Sequence, residues 1–163
     1  MNAPRIIELA IARVLVEHAE LGGSTVVRPW RSLAAMGGTN HDRALPCVDI
    51  RFSPALHNEG QATQTCAGEI AVMTHGADDA DHTQIAEMEE SVRDTLERLY
   101  DQAKAGTVTG AEYATFMASA TEESDGQFLC GGFTFDGGAA PADDDDVNAI
   151  SISFSAHFAR SGG

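Results

Sequence analysis

Apolar residues recur at steps of three and four in two long stretches of the chain, a spacing that predicts two amphipathic α-helices. The first stretch follows Asn2, which can cap a helix, and stops before Gly22-Gly23. Its face-forming positions are Ile7, Ala10, Ile11, Val14, Leu15 and His18. The second stretch follows an acidic turn in which Asp79 or Asp81 can act as the cap, and it stops before Gly106. Its face-forming positions are Ile85, Met88, Val92, Leu96, Leu99 and Ala103.

Other stretches alternate between apolar and polar residues, the period of a β-strand with one buried face. Residues 48–52 and 63–74 alternate in this way, and their polar linker of roughly ten residues predicts a hairpin with a long loop. Residues 127–135 predict another strand, loosened by Gly131-Gly132. The clearest alternation runs from 150 to 158, with Ile, Phe and Ala on one side and Ser and His on the other. That pattern predicts a strand in an antiparallel sheet with one polar face.

Three segments have less regular patterns. Residues 33–44, with two adjacent glycines and polar neighbours, predict a loop. Residues 107–121 fit a short helix, because Thr109 to Glu112 resembles a capping box, but the alternation from 113 to 119 also fits a strand. Residues 136–147 are rich in Gly, Ala, Pro and Asp and predict a solvated loop.

The order of elements is helix, two strands, helix, then two or three strands, and a further short strand could open at residues 25–27. This order predicts an α+β fold with a mainly antiparallel β-sheet and two principal helices packed on one face. At 163 residues the chain is long enough to bury a core of its own, and it contains no internal repeat. We therefore expect a single domain over residues 1–163.

The charge of the chain is strongly negative. Its formal net charge is -15, Lys104 is the only lysine, and residues 105–159 contain nine Asp and Glu but no Lys or Arg. Affinity for nucleic acid comes mainly from Lys and Arg contacts to phosphates, so the composition argues against a protein that grips DNA or an anionic membrane. The same charge suits the wall of a passage through which DNA slides without adhering.

The hydropathy pattern does not predict a membrane or secreted protein. No run approaches the roughly 20 apolar residues of a membrane helix, and the N-terminus lacks the pattern of a signal peptide. The three cysteines, Cys47, Cys66 and Cys130, are odd in number and widely spaced. We therefore expect no disulfide framework, no zinc site and a reducing, cytoplasmic compartment.

The richest set of potential metal ligands lies between His75 and His82, where two histidines and three aspartates occur within eight residues. A metal site needs carboxylate or imidazole donors that converge on one point. The segment has neither the spacing of a calcium loop nor two histidines four apart on a helix. A helix-capping acidic turn explains these residues more simply, and a metal-dependent enzyme that uses them is the alternative.

Other catalytic signatures are missing from the sequence. His41-Asp42 invites comparison with metal phosphohydrolases, but the further histidines of such a site do not occur at suitable places. There is no glycine-rich phosphate loop, no GxSxG elbow and no paired Cys and His nucleophile signature. We predict no catalytic residue, no bound metal and no cofactor.

Two further groups of residues are candidates for a role in an assembly. The first is a run of four carboxylates, which either forms a solvated loop or shapes the electric field inside the assembly: Asp143, Asp144, Asp145 and Asp146. The second surrounds Pro29 and contains the only tryptophan: Arg28, Trp30 and Arg31. Arg and Trp are enriched at the energetic centres of interfaces, so this group either contacts a partner or anchors the core through Trp30.

The segment from Gly68 to Leu99 carries a resemblance to a known family. Its strand, residues 69–74, leads through the acidic turn 78–81 into a helix, and the chain later closes with the alternating strand from Ile150 to Phe158. This order of helix, two strands, helix and strand resembles that of the tail terminator, or tail completion, proteins of tailed bacteriophages.

The resemblance implies a homohexameric ring that caps the tail tube and joins it to the head connector. The implied partners are further copies of the chain, the tail tube protein and the head-tail connector protein. DNA passes through the negatively charged hole without specific binding, and the ring belongs to the virion after assembly in the host cytoplasm. In this interpretation the carboxylates of residues 143–146 lie in the lumen, Arg28, Trp30 and Arg31 lie at a subunit or partner contact, and no residue is catalytic.

Three alternatives stay open. The chain could be another ring subunit of the phage neck or tail tube, since tube subunits share related sheet-and-helix folds. It could be a metal-dependent enzyme that uses the segment from His75 to His82. It could also be a small acidic binding module that occupies the basic groove of a nucleic-acid-binding partner, which requires its carboxylates to lie on one continuous outer face.

Overall fold

A computed structural model gives the fold of the chain. It describes residues 1–30, 45–54, 56–57, 62–104, 110–141, 143 and 146–161, so the loop expected at 33–44 lies outside the described residues. In chain order the elements are α1 (Ala3–His18), β1 (Val26–Pro29), β2 (Cys47–Phe52), β3 (Leu56–His57), β4 (Gln64–His75), α2 (Thr83–Lys104), α3 (Ala111–Glu123), β5 (Phe128–Thr134), β6 (Ala139–Pro141) and β7 (Val147–Arg160). Both predicted helices and all four predicted strands are present, which confirms the α+β class.

The strands form one sheet in the order β1-β2-β4-β7-β5, with β3 beside β4 and β6 beside β7. The antiparallel pair of β4 and β7 is its centre, and it runs from Gln64 opposite Phe158 to His75 opposite Val147. The predicted hairpin is confirmed, because β2 pairs antiparallel with β4. The sheet is nevertheless mixed, since β1 pairs parallel with β2. The short β6 also corrects the expectation that residues 136–147 are entirely loop.

One core lies between the sheet and the helices. It contains apolar side chains from α1, α2 and α3 and from one face of β2, β4, β5 and β7, among them Ile7, Ile11, Leu15, Ile70, Val92, Leu96, Phe116 and Phe154. Three phenylalanine rings make edge and tilted contacts within it, with ring centroids 5.0 Å apart for Phe116 and Phe133 and for Phe133 and Phe154. The faces predicted for α1 and α2 are therefore the faces that are buried.

Gly68 leaves room in this core for a neighbouring aromatic ring. It lies in β4, between Phe52 of β2 and Phe154 of β7 in the sheet register. A Cβ at this position would come within 2.2 Å of the Phe52 ring, so the ring lies directly over the glycine. The absent side chain is what lets a large aromatic residue occupy the neighbouring strand.

The third helix, α3, resolves the ambiguous segment 107–121 in favour of a helix over its described part. Its buried Glu112 accepts hydrogen bonds from Arg98 Nε at 2.9 Å and Gln102 Nε2 at 2.6 Å, both on α2. Gln102 Oε1 in turn accepts a bond from the Tyr113 N–H at 2.9 Å. Glu112 therefore joins the start of α3 to the last turns of α2.

The opposite face of the sheet has two unlike parts. Near β1 and β2 it is buried: Cys47, Met73 and Ala149 form a small second apolar cluster. Towards β5 it is polar, and His157 on β7 bridges two strands, with Nδ1 2.9 Å from Thr65 Oγ1 and Nε2 2.6 Å from Thr134 Oγ1. The polar face predicted for residues 150–158 is thus present, and His157 is tied to protein hydroxyls there.

Candidate functional site

The two acidic segments singled out in the sequence meet at one end of the sheet. β4 runs into the turn that begins at Gly76, and β7 begins directly after Asp146. The Gly76 N–H donates to the Asp146 carbonyl at 2.8 Å. The carboxylate of Asp143 lies 3.9 Å from His82 Nε2. Antiparallel pairing of β4 with β7 brings these distant segments together, which local sequence patterns do not reveal.

Asp79 is the structural centre of this end. It is only 3% exposed, and its carboxylate accepts hydrogen bonds from the Thr74 hydroxyl and from the backbone N–H groups of Gln84 and Ile85. Its carbonyl accepts a bond from Asn148 Nδ2 at 2.8 Å. Burial by itself raises the pKa of Asp79, but these hydrogen bonds outweigh burial and leave the pKa below its ordinary value of 3.8. The predicted capping role is confirmed, and Asp79 also fastens α2 to both central strands.

The other carboxylates around Asp79 are exposed, namely Asp78, Asp81, Asp143 and Asp146. Asp143 is about half exposed, at 53%, and its Oδ1 accepts the Ala149 N–H at 2.9 Å. Asp144 and Asp145 lie outside the described residues. Among the residues that are described, no group of three or more His, Cys, Asp or Glu side chains is arranged to hold a metal ion.

A second acidic surface runs along α2, and the sequence argument missed it. Five exposed carboxylates recur at steps of three and four on one side of the helix, and we call them the α2 acidic stripe: Glu87, Glu90, Asp94, Glu97 and Asp101. This spacing places them in one row. The sequence does contain a signal for the stripe, because its carboxylates repeat at the same steps of three and four as the apolar face of α2.

The stripe borders a polar cleft between α2 and the end of α1. The cleft has a volume of about 550 Å³ and is lined by His18, Glu20, Glu87, Glu90, Ser91, Asp94 and Arg98. Within it the Glu20 N–H donates to Ser91 Oγ at 2.7 Å. His18 Nε2 lies 2.8 Å from Thr115 Oγ1. Four of the seven lining residues are acidic, so the cleft adds to the negative charge of this side.

Most described arginines are already paired with carboxylates. The ion pairs are Arg5 with Glu123, Arg13 with Glu17, Arg28 with Asp49, Arg93 with Glu89, and Arg98 with Glu112. Arg98 borders the α2 acidic stripe, but its Nε donates to Glu112 and not to the stripe. These pairs leave little positive charge to offset the exposed carboxylates.

The structure describes two of the three residues of the proposed contact group around Pro29, namely Arg28 and Trp30. Arg28 is only 4% exposed, and its Nε lies 3.5 Å from Asp49 Oδ1 on the neighbouring strand. The Arg28 side chain is therefore buried beside Asp49 within the subunit. Trp30 is half-buried, and the Arg51 guanidinium lies 5.2 Å from its ring centroid. Arg31, like His41-Asp42, is outside the described ranges.

The three cysteines all lie in strands of the sheet. Cys47 and Cys66 are buried, Cys130 is half-buried, and no disulfide joins the three. In the described part of the chain, no helix combines the length and the apolar character needed to cross a membrane.

Neither a family model nor a curated protein matches this chain.

Proposed function

We propose that this chain is a structural protein of a tailed-phage virion, of the tail terminator kind. Six copies form a ring that caps the tail tube and joins it to the head connector, and DNA passes through the ring without specific binding. The partners are further copies of the chain, the tail tube protein and the connector protein. The order of elements described above, to which α3 is added, supports this proposal.

The α2 acidic stripe is the observation that carries the proposal. A row of exposed carboxylates repels the phosphates of DNA, and no row of Lys or Arg in the described residues offers contacts that would release counterions. A wall of this kind lets DNA move along it without adhering. A ring subunit needs such a surface, whereas a protein that grips DNA needs the opposite charge.

The exposed carboxylates at the end of the sheet lie near the start of the same helix. α2 begins two residues after Asp81, and Asp143 lies close to His82 in the same turn. Asp143 and Asp146 therefore adjoin the side of the molecule from which α2 starts. In the proposed ring the lumen wall consists of the run from 143 to 146 together with the α2 acidic stripe.

Electron microscopy of the purified protein, alone and mixed with tail tubes, tests this proposal. We expect closed rings with a central hole, and one ring at the end of each tube. Long tubes formed by the protein alone would instead favour the alternative, a tail-tube subunit. Particles without a central hole in both samples would contradict the ring.

A further inference from the structure

The outer edge of β5 is open in the described part of the chain. β5 is the last strand in the sheet order, and β7 is its only strand partner there. The Gln127 carbonyl accepts a bond from the Ser161 N–H on the β7 side, whereas the Phe128 N–H turns the other way, to Ser124 Oγ. Because backbone direction alternates along a strand, the N–H and C=O of Cys130 also point away from β7.

This edge lacks the residues that usually prevent a sheet from pairing with another chain. β5 contains neither a charged residue nor a proline, whereas β1 contains Arg28 and Pro29, and β6 ends with Pro141. Leu129 on β5 is 49% exposed. A bulge between Cys130 and Gly132 is the one protective feature, and it leaves a regular stretch on each side.

The charge distribution permits a second copy of the chain at this edge. Two copies with a formal net charge of -15 each repel one another wherever their carboxylates meet. Residues 126–135, bounded by Asp125 and Asp136, contain no charged residue. Two acidic copies can approach closely along such a neutral segment, and exposed backbone groups there provide hydrogen bonds that do not depend on charge.

We propose that β5 is the surface through which one copy binds a second copy of this chain, which continues the sheet and covers Leu129. The number of copies that associate is taken from the proposed function, and to that extent the inference rests on it. Because a closed ring is built from head-to-tail contacts, β5 supplies one side of that contact and a different surface of the next copy supplies the other.

Sedimentation over a wide range of protein concentration, combined with backbone hydrogen exchange, tests the contact. We expect the wild-type protein to associate as concentration rises, with slower exchange of the β5 amides in the associated state. Leu129→Lys places a charge in the contact and should weaken association by about tenfold or more. Val16→Lys is the matched control, because Val16 is 64% exposed on α1, away from β5. It should leave association unchanged, and circular dichroism should show both variants folded.

The outcomes separate this inference from the proposed function. The β5 contact is overturned if the β5 amides exchange as fast in rings as in the monomer. It is also overturned if Leu129→Lys associates like the wild type, and neither result contradicts the proposed ring. A two-fold dimer protected at β5, with no ring in micrographs, supports the contact and contradicts the ring. A wild-type protein that stays monomeric at every concentration overturns the inference.

Discussion

Asp79 shows how one carboxylate can hold several elements in place. It is buried at the junction of β4, β7 and α2, and its oxygens accept bonds from the Thr74 hydroxyl and from two N–H groups of the first helical turn. A buried carboxylate is stable only when it is well hydrogen-bonded, and Asp79 meets that condition. The residue therefore serves structure, although its neighbours looked like metal ligands in the sequence.

Replacing Asp79 should destabilise the protein strongly. We expect Asp79→Ala to lower the free energy of unfolding by about 2–4 kcal/mol, because it leaves several buried donors without an acceptor. Asp81→Ala is the control, since Asp81 is exposed and accepts one bond, from the Thr83 N–H. Its cost should stay below about 1 kcal/mol. Urea unfolding measures both, and equal losses would contradict the central role of Asp79.

The free energy of unfolding should depend on pH through the buried carboxylates of Asp79 and Glu112. The pKa of Asp79 lies below its ordinary value of 3.8, and that of Glu112 below 4.5, where hydrogen bonds from Gln102 and Arg98 outweigh the effect of burial. Depressed folded-state pKa values mean that these groups stabilise the fold fully above their unfolded-state pKa values. That stability is lost as the pH falls through the folded-state values.

We therefore expect the free energy of unfolding to fall between about pH 5 and pH 2, with a shallower fall in Asp79→Asn. Urea unfolding at a series of pH values measures it. Parallel curves for the wild type and Asp79→Asn would show that Asp79 does not contribute.

At the scale of elements, helices and strands with a strong apolar periodicity could be predicted from the sequence. Elements that depend on contacts with distant parts of the chain could not. The apolar rows of α1 and α2 and the alternation of β7 are local, so they appear in the sequence. α3 was ambiguous because its start is fixed by Arg98 and Gln102 of another helix, which bind Glu112. β6 has only three residues and exists through its pairing with β7.

The site shows the same division. The acidic segments and the capping role of Asp79 could be read locally, whereas the meeting of the 75–82 turn with the 143–146 run depends on the pairing of β4 with β7. The parallel pairing of β1 with β2 likewise has no local signature. The burial of Arg28 follows from its register beside Asp49, so a pattern around Pro29 could not reveal it.

The contact between β2 and β4 gives a prediction about Gly68. Gly68→Ala should lower the free energy of unfolding by about 1–3 kcal/mol, because the new methyl group collides with the Phe52 ring. Gly23→Ala is the control, since nothing lies within 4 Å of a Cβ there, and it should be nearly neutral. Adding Phe52→Leu to Gly68→Ala should recover part of the loss. A double-mutant cycle by urea unfolding measures the coupling, and additive losses would exclude the collision.

At the scale of the whole molecule, the distribution of charge matters more than its total. Most described arginines are held in ion pairs, whereas the carboxylates of the α2 acidic stripe and most of those at the end of the sheet are exposed. A uniform scatter of carboxylates would favour solubility alone. Concentration of carboxylates along one helix gives the molecule a side that repels polyanions.

Reversing the charge of the stripe should create affinity for DNA. We expect Glu90→Lys, Asp94→Lys and Glu97→Lys, combined in one protein, to leave the fold intact and to give salt-sensitive binding to duplex DNA. The control carries three lysines elsewhere, at Glu17, Glu122 and Glu123, which are also exposed and lie on α1 and α3. Fluorescence anisotropy at several salt concentrations measures the binding of duplex DNA by the unassembled protein.

In assembled particles the stripe variant should retain DNA, and Lys at positions 143–146 should do the same. Particles that release DNA at the wild-type rate with both variants would place these carboxylates outside the lumen. Retention by the control variant alone would point to a different wall.

The hydrogen bonds around Asp79 also make the end of the sheet a mechanical junction. The Asp79 carbonyl accepts a bond from Asn148, and its carboxylate accepts bonds from the first turn of α2. The Asp146 carbonyl accepts a bond from the Gly76 N–H. These hydrogen bonds link the start of β7 directly to the first turn of a 22-residue helix. We therefore expect a displacement of the turn before β7 to tilt α2 and to turn the α2 acidic stripe with it.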